Sequence, residues 1–152
     1  MRYVMKAFDA LSALELYQLL QLRQAVFIIE QACIYPDIDN NDEGAVHLLA
    51  FDGDVMVGCL RILDRGVTFE EASIGRVVVT KEYRGQGIAQ EMMRQAVLFL
   101  ATERGEKQIK LSAQTYALRV YENVGFVAVG EEYLEDGIPH VDMVCTLYSQ
   151  ST

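Results

Sequence analysis

Arg84, Gly85 and Gly87 stand between a β-branched run, Val77-Val78-Val79, and an apolar repeat that begins at Ile88. Read as strand, glycine turn and helix, that order makes a phosphate site. A helix N-terminus exposes unpaired backbone N–H groups and carries about half a positive charge, so the turn feeding it can wrap a pyrophosphate with main-chain donors. Glycine lets that backbone come close, Arg84 adds a forked cation, and Lys81 or Arg119 raises the local potential. The two common nucleotide motifs are absent. A dinucleotide fingerprint needs Gly or Ala where this chain has Gln90, and a P-loop needs Gly-Lys-Ser/Thr. A second cluster, Asp37, Asp39, Asn41 and Asp42, has the look of a calcium loop. It departs from one because Asp42 occupies the glycine position and no glutamate follows at the twelfth. No metal is expected.

The elements that must position these residues are legible from spacing. Ser12-Ala13-Leu14-Glu15 reads as a capping box, and Leu16, Leu19, Leu20, Arg23, Val26 and Phe27 recur at helical spacing, an apolar stripe interrupted by one arginine. Residues 31–44 lose that period and gather turn formers, so they form a loop. Residues 45–51 and 55–63 are aliphatic and flank Asp52-Gly53, which predicts an antiparallel hairpin. Residues 74–80 form a third strand. Beyond Gly87, Ile88, Met92, Ala96 and Leu100 repeat every four residues and predict a long helix, with Met92 and Met93 as core filling. A strand at 108–113 follows, then a short helix at 117–123 ended by Gly125 in a left-handed cap. A strand from Phe126, a turn through 135–139 and a closing strand at 140–147 complete the chain. Helices on a mixed, mostly antiparallel sheet account for this order, an α+β fold (α/β in some schemes) in one domain over residues 1–152.

Composition bounds the rest. With 152 residues, 51% hydrophobic and only two prolines, the chain suits one compact domain that needs no disulfide staples. Cys33, Cys59 and Cys145 are odd in number and lack CxxC spacing, which points to reduced thiols and a cytoplasmic location. No signal peptide opens the sequence and no uncharged run approaches the ~18 residues of a membrane span, so no membrane partner is expected. The net charge of −9 argues against nucleic acid. Its distribution is uneven. Ten basic and seven acidic residues lie between Arg61 and Arg119, against three basic and fifteen acidic in the flanks. An anion suits the middle of the chain and a cation its ends.

The glycine turn resembles the acetyl-CoA signature of the GCN5-related N-acetyltransferase (GNAT) family, Gln/Arg-x-x-Gly-x-Gly/Ala, matched by Arg84, Gly87 and Ala89. A second family pattern, Asn-x-x-Ala-x-x-Leu-Tyr-x-x-x-Gly-Phe, is met by Ala117, Tyr121, Gly125 and Phe126. Val120 stands there for leucine and Gln114 for asparagine. Leu22-Arg23, Val26-Phe27-Ile28-Ile29-Glu30-Gln31, Tyr35-Pro36-Asp37-Ile38-Asp39, Ile74-Gly75-Arg76-Val77-Val78-Val79 and Asp136-Gly137-Ile138-Pro139-His140 are similar to the ElaA-type bacterial subgroup.

The resemblance implies the GNAT acyl-CoA N-acyltransferase fold. Its strand ending Val77, Val78 and Val79 splays to pair with the pantetheine arm, and Arg84, Gly85, Gln86, Gly87, Ile88, Ala89 and Gln114 join in holding acetyl-CoA. The implied reaction is direct attack on the thioester by a primary amine, either of a small molecule or of a peptide end or lysine. Such an amine, with a pKa near ~10.4, must lose a proton. Glu30 and His140 lead the candidates for that base, ahead of Asp39, Glu70 and Glu71. Backbone N–H groups of residues 77–79 suit the oxyanion, and Tyr121 matches the family's general acid for the leaving thiolate. Glu30, Gln31, Asp39, Arg76 and His140 are the acceptor-side candidates, and the acidic flanks favour a cationic acceptor. Arg76, in an aliphatic strand, needs a carboxylate partner, from substrate or protein. His47, inside an aliphatic strand, reads as a hydrogen-bonded core or cleft histidine. A homodimer is left open. Two rival readings use the same residues: a non-catalytic acyl-CoA sensor, for which Tyr121 has no purpose, and a transferase for another acyl group.

Overall fold

In the computed structural model, which describes residues 1–147, Ser12 opens the first helix through a capping box. Its hydroxyl accepts from the Glu15 amide at 3.0 Å, and the Glu15 carboxylate accepts from the Ser12 amide at 2.8 Å. Helix α1 (Ala13–Arg23) continues into a wider, π-type winding over Gln24–Glu30, which carries Glu30 and Gln31 to the lip of a cleft.

The strands are β1 (Arg2–Ala7), β2 (Val46–Asp52), β3 (Val55–Leu63), β4 (Ser73–Val79), β5 (Gln108–Gln114), β6 (Val127–Glu135) and β7 (Ile138–Thr146). Helices α2 (Ile88–Thr102) and α3 (Leu118–Glu122) complete the fold. β1-β2-β3-β4 make one antiparallel sheet and β5-β7-β6 another. The sheets touch where Ala72 bridges Ile109 in parallel and the Lys110 amide donates to the Ala72 carbonyl at 3.0 Å. Above that point β4 and β5 part, leaving backbone on both inner edges without a strand partner.

Three local expectations shift. β1 was not anticipated, and it adds an outer strand by pairing Arg2 with Phe51 through to Ala7 with Val46. The first hairpin turns on Gly53-Asp54, because Asp52 already pairs with Val55. The last turns on Asp136-Gly137, both at positive φ, so Pro139 and His140 sit inside β7.

Helix α2 covers one face of both sheets, and the first helix covers the other face of β1-β2-β3-β4. Met92, Met93, Ala96 and Leu100 of α2 bury against Leu48, Leu60, Ile109 and Met143, while Leu19, Val26 and Phe27 pack on Leu49, Cys59 and Val78. Each of the Leu, Ile, Val, Phe and Met side chains among them contributes about 1.5–3 kcal/mol. Gly58 permits the close approach of α2, since a Cβ there would lie 3.0 Å from the Val78 carbonyl and 3.2 Å from Met92 Cε.

Candidate active site

The parted strands open a cavity of ≈900 Å³ that runs from the glycine turn, past Val77, Val79 and Tyr121, to one face of β5-β7-β6. At the glycine end, Gly85 and Gly87 adopt φ of +78° and +79°, and a Cβ on either would meet nothing within 4 Å. The glycines are required by conformation, and the space beside them is open. Gly87 caps α2 with no side-chain hydrogen bond, so the first amides of this helix remain available to an anion. Those features fit the diphosphate of a coenzyme A thioester, with Arg84 beside it.

Along the cleft, β4 carries a bulge. Its register against β3 slips between Cys59 and Arg61, and Arg76 takes φ +51°. Bulges turn backbone groups and side chains out of the regular ladder, here on the edge that faces the cavity. Tyr121 lines the same space from α3. A Schellman closure fixes it: the Gly125 amide donates to the Glu122 carbonyl and the Phe126 amide to the Tyr121 carbonyl, both at 3.1 Å. Phe126 then meets the Tyr121 ring edge-on at 6.3 Å. Among the described residues the Tyr121 hydroxyl has no hydrogen-bond partner. Burial, with Tyr116 second, pushes its pKa above the ordinary phenol range, so it stays protonated at neutral pH.

Two contacts from the end of the first helix cross the cleft. Glu30 accepts both arms of Arg84 at 2.7 and 3.0 Å, and Arg84 Nε donates to the Val79 carbonyl at 3.1 Å. The Arg84 bond holds the Glu30 carboxyl below its usual pKa. Gln31 and Gln114 exchange amide hydrogen bonds at 2.9 and 3.3 Å. One lip of the cleft is thus tied to the glycine turn and to the end of β5.

Arg76 and Asp39, expected on the acceptor side, belong to a buried network. Arg23 donates to Asp37 Oδ2 at 2.8 Å, to the Asp37 carbonyl at 2.9 Å and to Asp42 Oδ1 at 2.7 Å. Arg61 grips Asp39 at 2.8 and 2.6 Å and reaches Asp42 at 3.1 Å. Arg76 Nε lies 2.8 Å from Asp37 Oδ1, in ion-pair range though out of line for a hydrogen bond, and Nη2 lies 3.4 Å from Asp39. Three arginines balance three aspartates, and Arg76 finds its carboxylates within the chain. The network fixes the loop 31–44 as one wall of the cavity. Cys33 Sγ, donating to the Asp136 carbonyl at 3.3 Å, ties that wall to the last hairpin. His47 is buried and bonded to the Asp42 carbonyl at 2.9 Å.

His140 lines the far half of the cavity at 8% exposure. Its Nδ1–H donates to the Ile138 carbonyl at 2.7 Å, so in the neutral ring the lone pair sits on Nε2; Glu135 Oε2 is 3.5 Å from that nitrogen. Beside it stand three residues that sequence reasoning passed over: Ser112, Tyr133 and Asp142. Tyr133 donates to Asp142 Oδ1 at 2.6 Å and contacts Ser112 Oγ. Burial and the Asp142 bond push the Tyr133 phenol up to about 12. Only alternation within β5 and β7 hinted at this polar face, and the bulge that brings in Tyr133 left no local mark beyond Gly130.

Among the described residues no three His, Cys, Asp or Glu side chains converge as a metal site, and no helix is long and apolar enough to cross a membrane. Residues 13–147 match a family model described as an acetyltransferase (GNAT) domain. Protein ElaA of Escherichia coli is 40% identical over 135 residues, 88% of each chain. The crystal structure of that protein superposes with a TM-score of 0.87 at 36% identity, covering 95% of this chain and 99% of the other. An acyl-CoA N-acyltransferase from Pseudomonas aeruginosa superposes with a TM-score of 0.88 at 36% identity, covering 96% and 100%.

Proposed function

As a member of the GNAT acetyltransferase family the chain is an acyltransferase, and we propose that it moves the acetyl group of acetyl-CoA to a primary amine, of a small molecule or of a peptide end or lysine. The observation that carries this reading is the continuity of the cleft. An uncapped helix N-terminus suited to a diphosphate, an unpaired strand edge suited to a pantetheine arm, and an unbonded phenol share one cavity.

Each residue has a part that its surroundings support. The amine nitrogen attacks the thioester carbonyl carbon, and backbone amides on the free edge of β4 within residues 77–79 supply donors for the oxyanion, the Val78 amide being turned to β3. The carbon–sulfur bond then breaks, and Tyr121 gives its proton to the departing thiolate. His140 is the better base of the two leading candidates. Its Nε2 makes no hydrogen bond, whereas Glu30 is held in both arms of Arg84 and acts through that contact on the diphosphate end. Gln31 and Gln114, bonded to each other, brace the passage between the two halves. Asp39 and Arg76 shape the acceptor wall. The far half presents Glu135, Asp136 and Asp142 to the cavity, which supports a cationic acceptor. The three buried, unpaired cysteines suit a reducing cytoplasm.

The test is thiol release from acetyl-CoA against a panel of primary amines, with coenzyme A binding measured in parallel. Amine-dependent release that saturates in both substrates is the expected result. Binding without release in any member of the panel would favour the sensor reading.

A further inference from the structure

One face of β5-β7-β6 floors the acceptor half of the cavity. Register sets Ser112 opposite Asp142 and Gln114 opposite His140, with Tyr133 opposite His140 on the other side. Alternation sends these side chains to one face and Leu111, Ala113, Val141 and Met143 to the buried one.

The hydrogen-bond polarity of this face is determined. A phenol has a single proton, and that of Tyr133 goes to Asp142 Oδ1 at 2.6 Å. The Ser112 hydroxyl, in contact with the Tyr133 oxygen, must therefore be the donor there. Both hydroxyl protons are committed. What the cluster still offers is lone pairs, on Ser112 Oγ and on the Asp142 carboxylate, so it binds donors and repels acceptors. Lys110, on the same face, shares the carboxylate's charge from ion-pair range, its Nζ 3.9 Å from Asp142 Oδ2, but it makes no hydrogen bond there and lies 5.2 Å from the centre of the Phe69 ring, so the Asp142 lone pairs stay open.

A second, independent feature points to the same ligand. His140, 8% exposed, stacks on Tyr133 with ring centres 6.0 Å apart, and its Nε2 makes no hydrogen bond. The charged or titratable groups around it are Tyr133 and Glu135 from β6, Asp136 from the turn and Asp142 from its own strand; Gln114 faces it from β5. None is a cation. The position also fits, because Ser112, Tyr133, Asp142 and His140 line the same cavity as Val77 and Tyr121.

We propose that Ser112, Tyr133 and Asp142 form the dock for the acceptor's reacting amine, received as an aliphatic ammonium before His140 takes its proton. This rests on the N-acetyltransferase reading. An ammonium brings three donors and a positive charge to a surface of lone pairs and one carboxylate. A neutral aromatic amine lacks the charge that the dock selects.

The experiment measures steady-state acetylation by the full chain and by Asp142→Asn, Ser112→Ala and Tyr133→Phe. The acceptors are 2-phenylethylamine, butane-1,4-diamine and a lysine peptide as cations, and aniline as a neutral nucleophile. Asp142→Asn is expected to raise KM for the cationic amines roughly 10- to 100-fold, the range of a charge-assisted hydrogen bond, and Ser112→Ala and Tyr133→Phe by less. KM for acetyl-CoA and the kcat/KM of aniline should stay near wild type. Ser112→Ala keeps the strand intact if Asp142→Asn fails to fold. Unchanged KM for the cations in all three variants, or equal losses for cations and aniline, would overturn the dock while leaving the acetyltransferase reading in place. Should the wild type respond to no amine at all, that reading fails and the dock with it.

Discussion

Replacing Arg23 by leucine separates structural from substrate-binding roles in the buried arginine network. The guanidinium is 1% exposed and makes three hydrogen bonds to Asp37 and Asp42, at 2.7 to 2.9 Å. Removing one partner of a buried ion pair costs about 3–5 kcal/mol, because the other charge is left in a poor solvent. Here Arg76 still faces Asp37 and Arg61 still reaches Asp42, and leucine refills part of the space. The loss therefore belongs at the lower end, about 3 kcal/mol. In a chain of this length 1 kcal/mol moves Tm by about 2–4 °C, so the expected fall is about 6–12 °C. Thermal and urea unfolding read it, with the urea slope unchanged. Coenzyme A affinity should hold, because the network supports the acceptor wall and not the glycine turn, while KM for the amine rises. A stability loss under about 1 kcal/mol would refute the reasoning, since an exposed pair would cost no more.

Other outcomes follow from the same geometry. Arg84→Ala should weaken coenzyme A binding by about 1.5–3 kcal/mol in a calorimetric titration. Glu30→Gln, which frees the Arg84 fork, should tighten it by at most about 1 kcal/mol, the scale of an exposed ion pair; unchanged affinity in both variants would mean that Arg84 does not touch the diphosphate. Tyr121→Phe should lower kcat about 10²- to 10⁴-fold with coenzyme A binding intact, and a wild-type rate would remove Tyr121 from the chemistry. Burial alone would raise the Asp39 and Asp42 carboxyls, but bonds from Arg61 and Arg23 outweigh it and hold both below the usual range; burial pushes the His47 imidazole down. All three pKa values are depressed in the folded chain, so each contributes stability that is full above its unfolded value and lost as pH falls through the folded one. The urea midpoint should therefore be level from about pH 7 to about 8, decline below about 6.5 as unfolded His47 takes up a proton, and fall further below about 4. A midpoint that rises between pH 7 and 4 would contradict the burial assigned to these groups.

What could be read in advance was whatever lies within one stretch of chain. The Ser12 capping box, the residue 84–89 turn and the Ala117–Phe126 pattern depend on neighbours a few residues apart, and each stands in the structure where its spacing put it. Long-range pairing was not accessible. Arg23 as an interruption of an apolar stripe was visible, but its partners lie 14 and 19 residues away in a loop without periodicity. Glu30, read as a candidate base, meets Arg84 instead, 54 residues away, because the π-type winding carries it across the cleft. The acceptor face was the least accessible part. Ser112, Tyr133 and Asp142 come from three strands and become neighbours only through register, with a slip between Val129 and Tyr133 that alternation alone does not disclose.

The most direct measurement is a crystal structure with coenzyme A bound. The pantetheine arm should lie along β4 at residues 77–79 within the gap to β5, with the diphosphate on the amides of residues 85–89 and the sulfur within reach of the Tyr121 hydroxyl. A ligand lodged away from the parted strands, or a helix entrance closed off by side chains, would contradict the account.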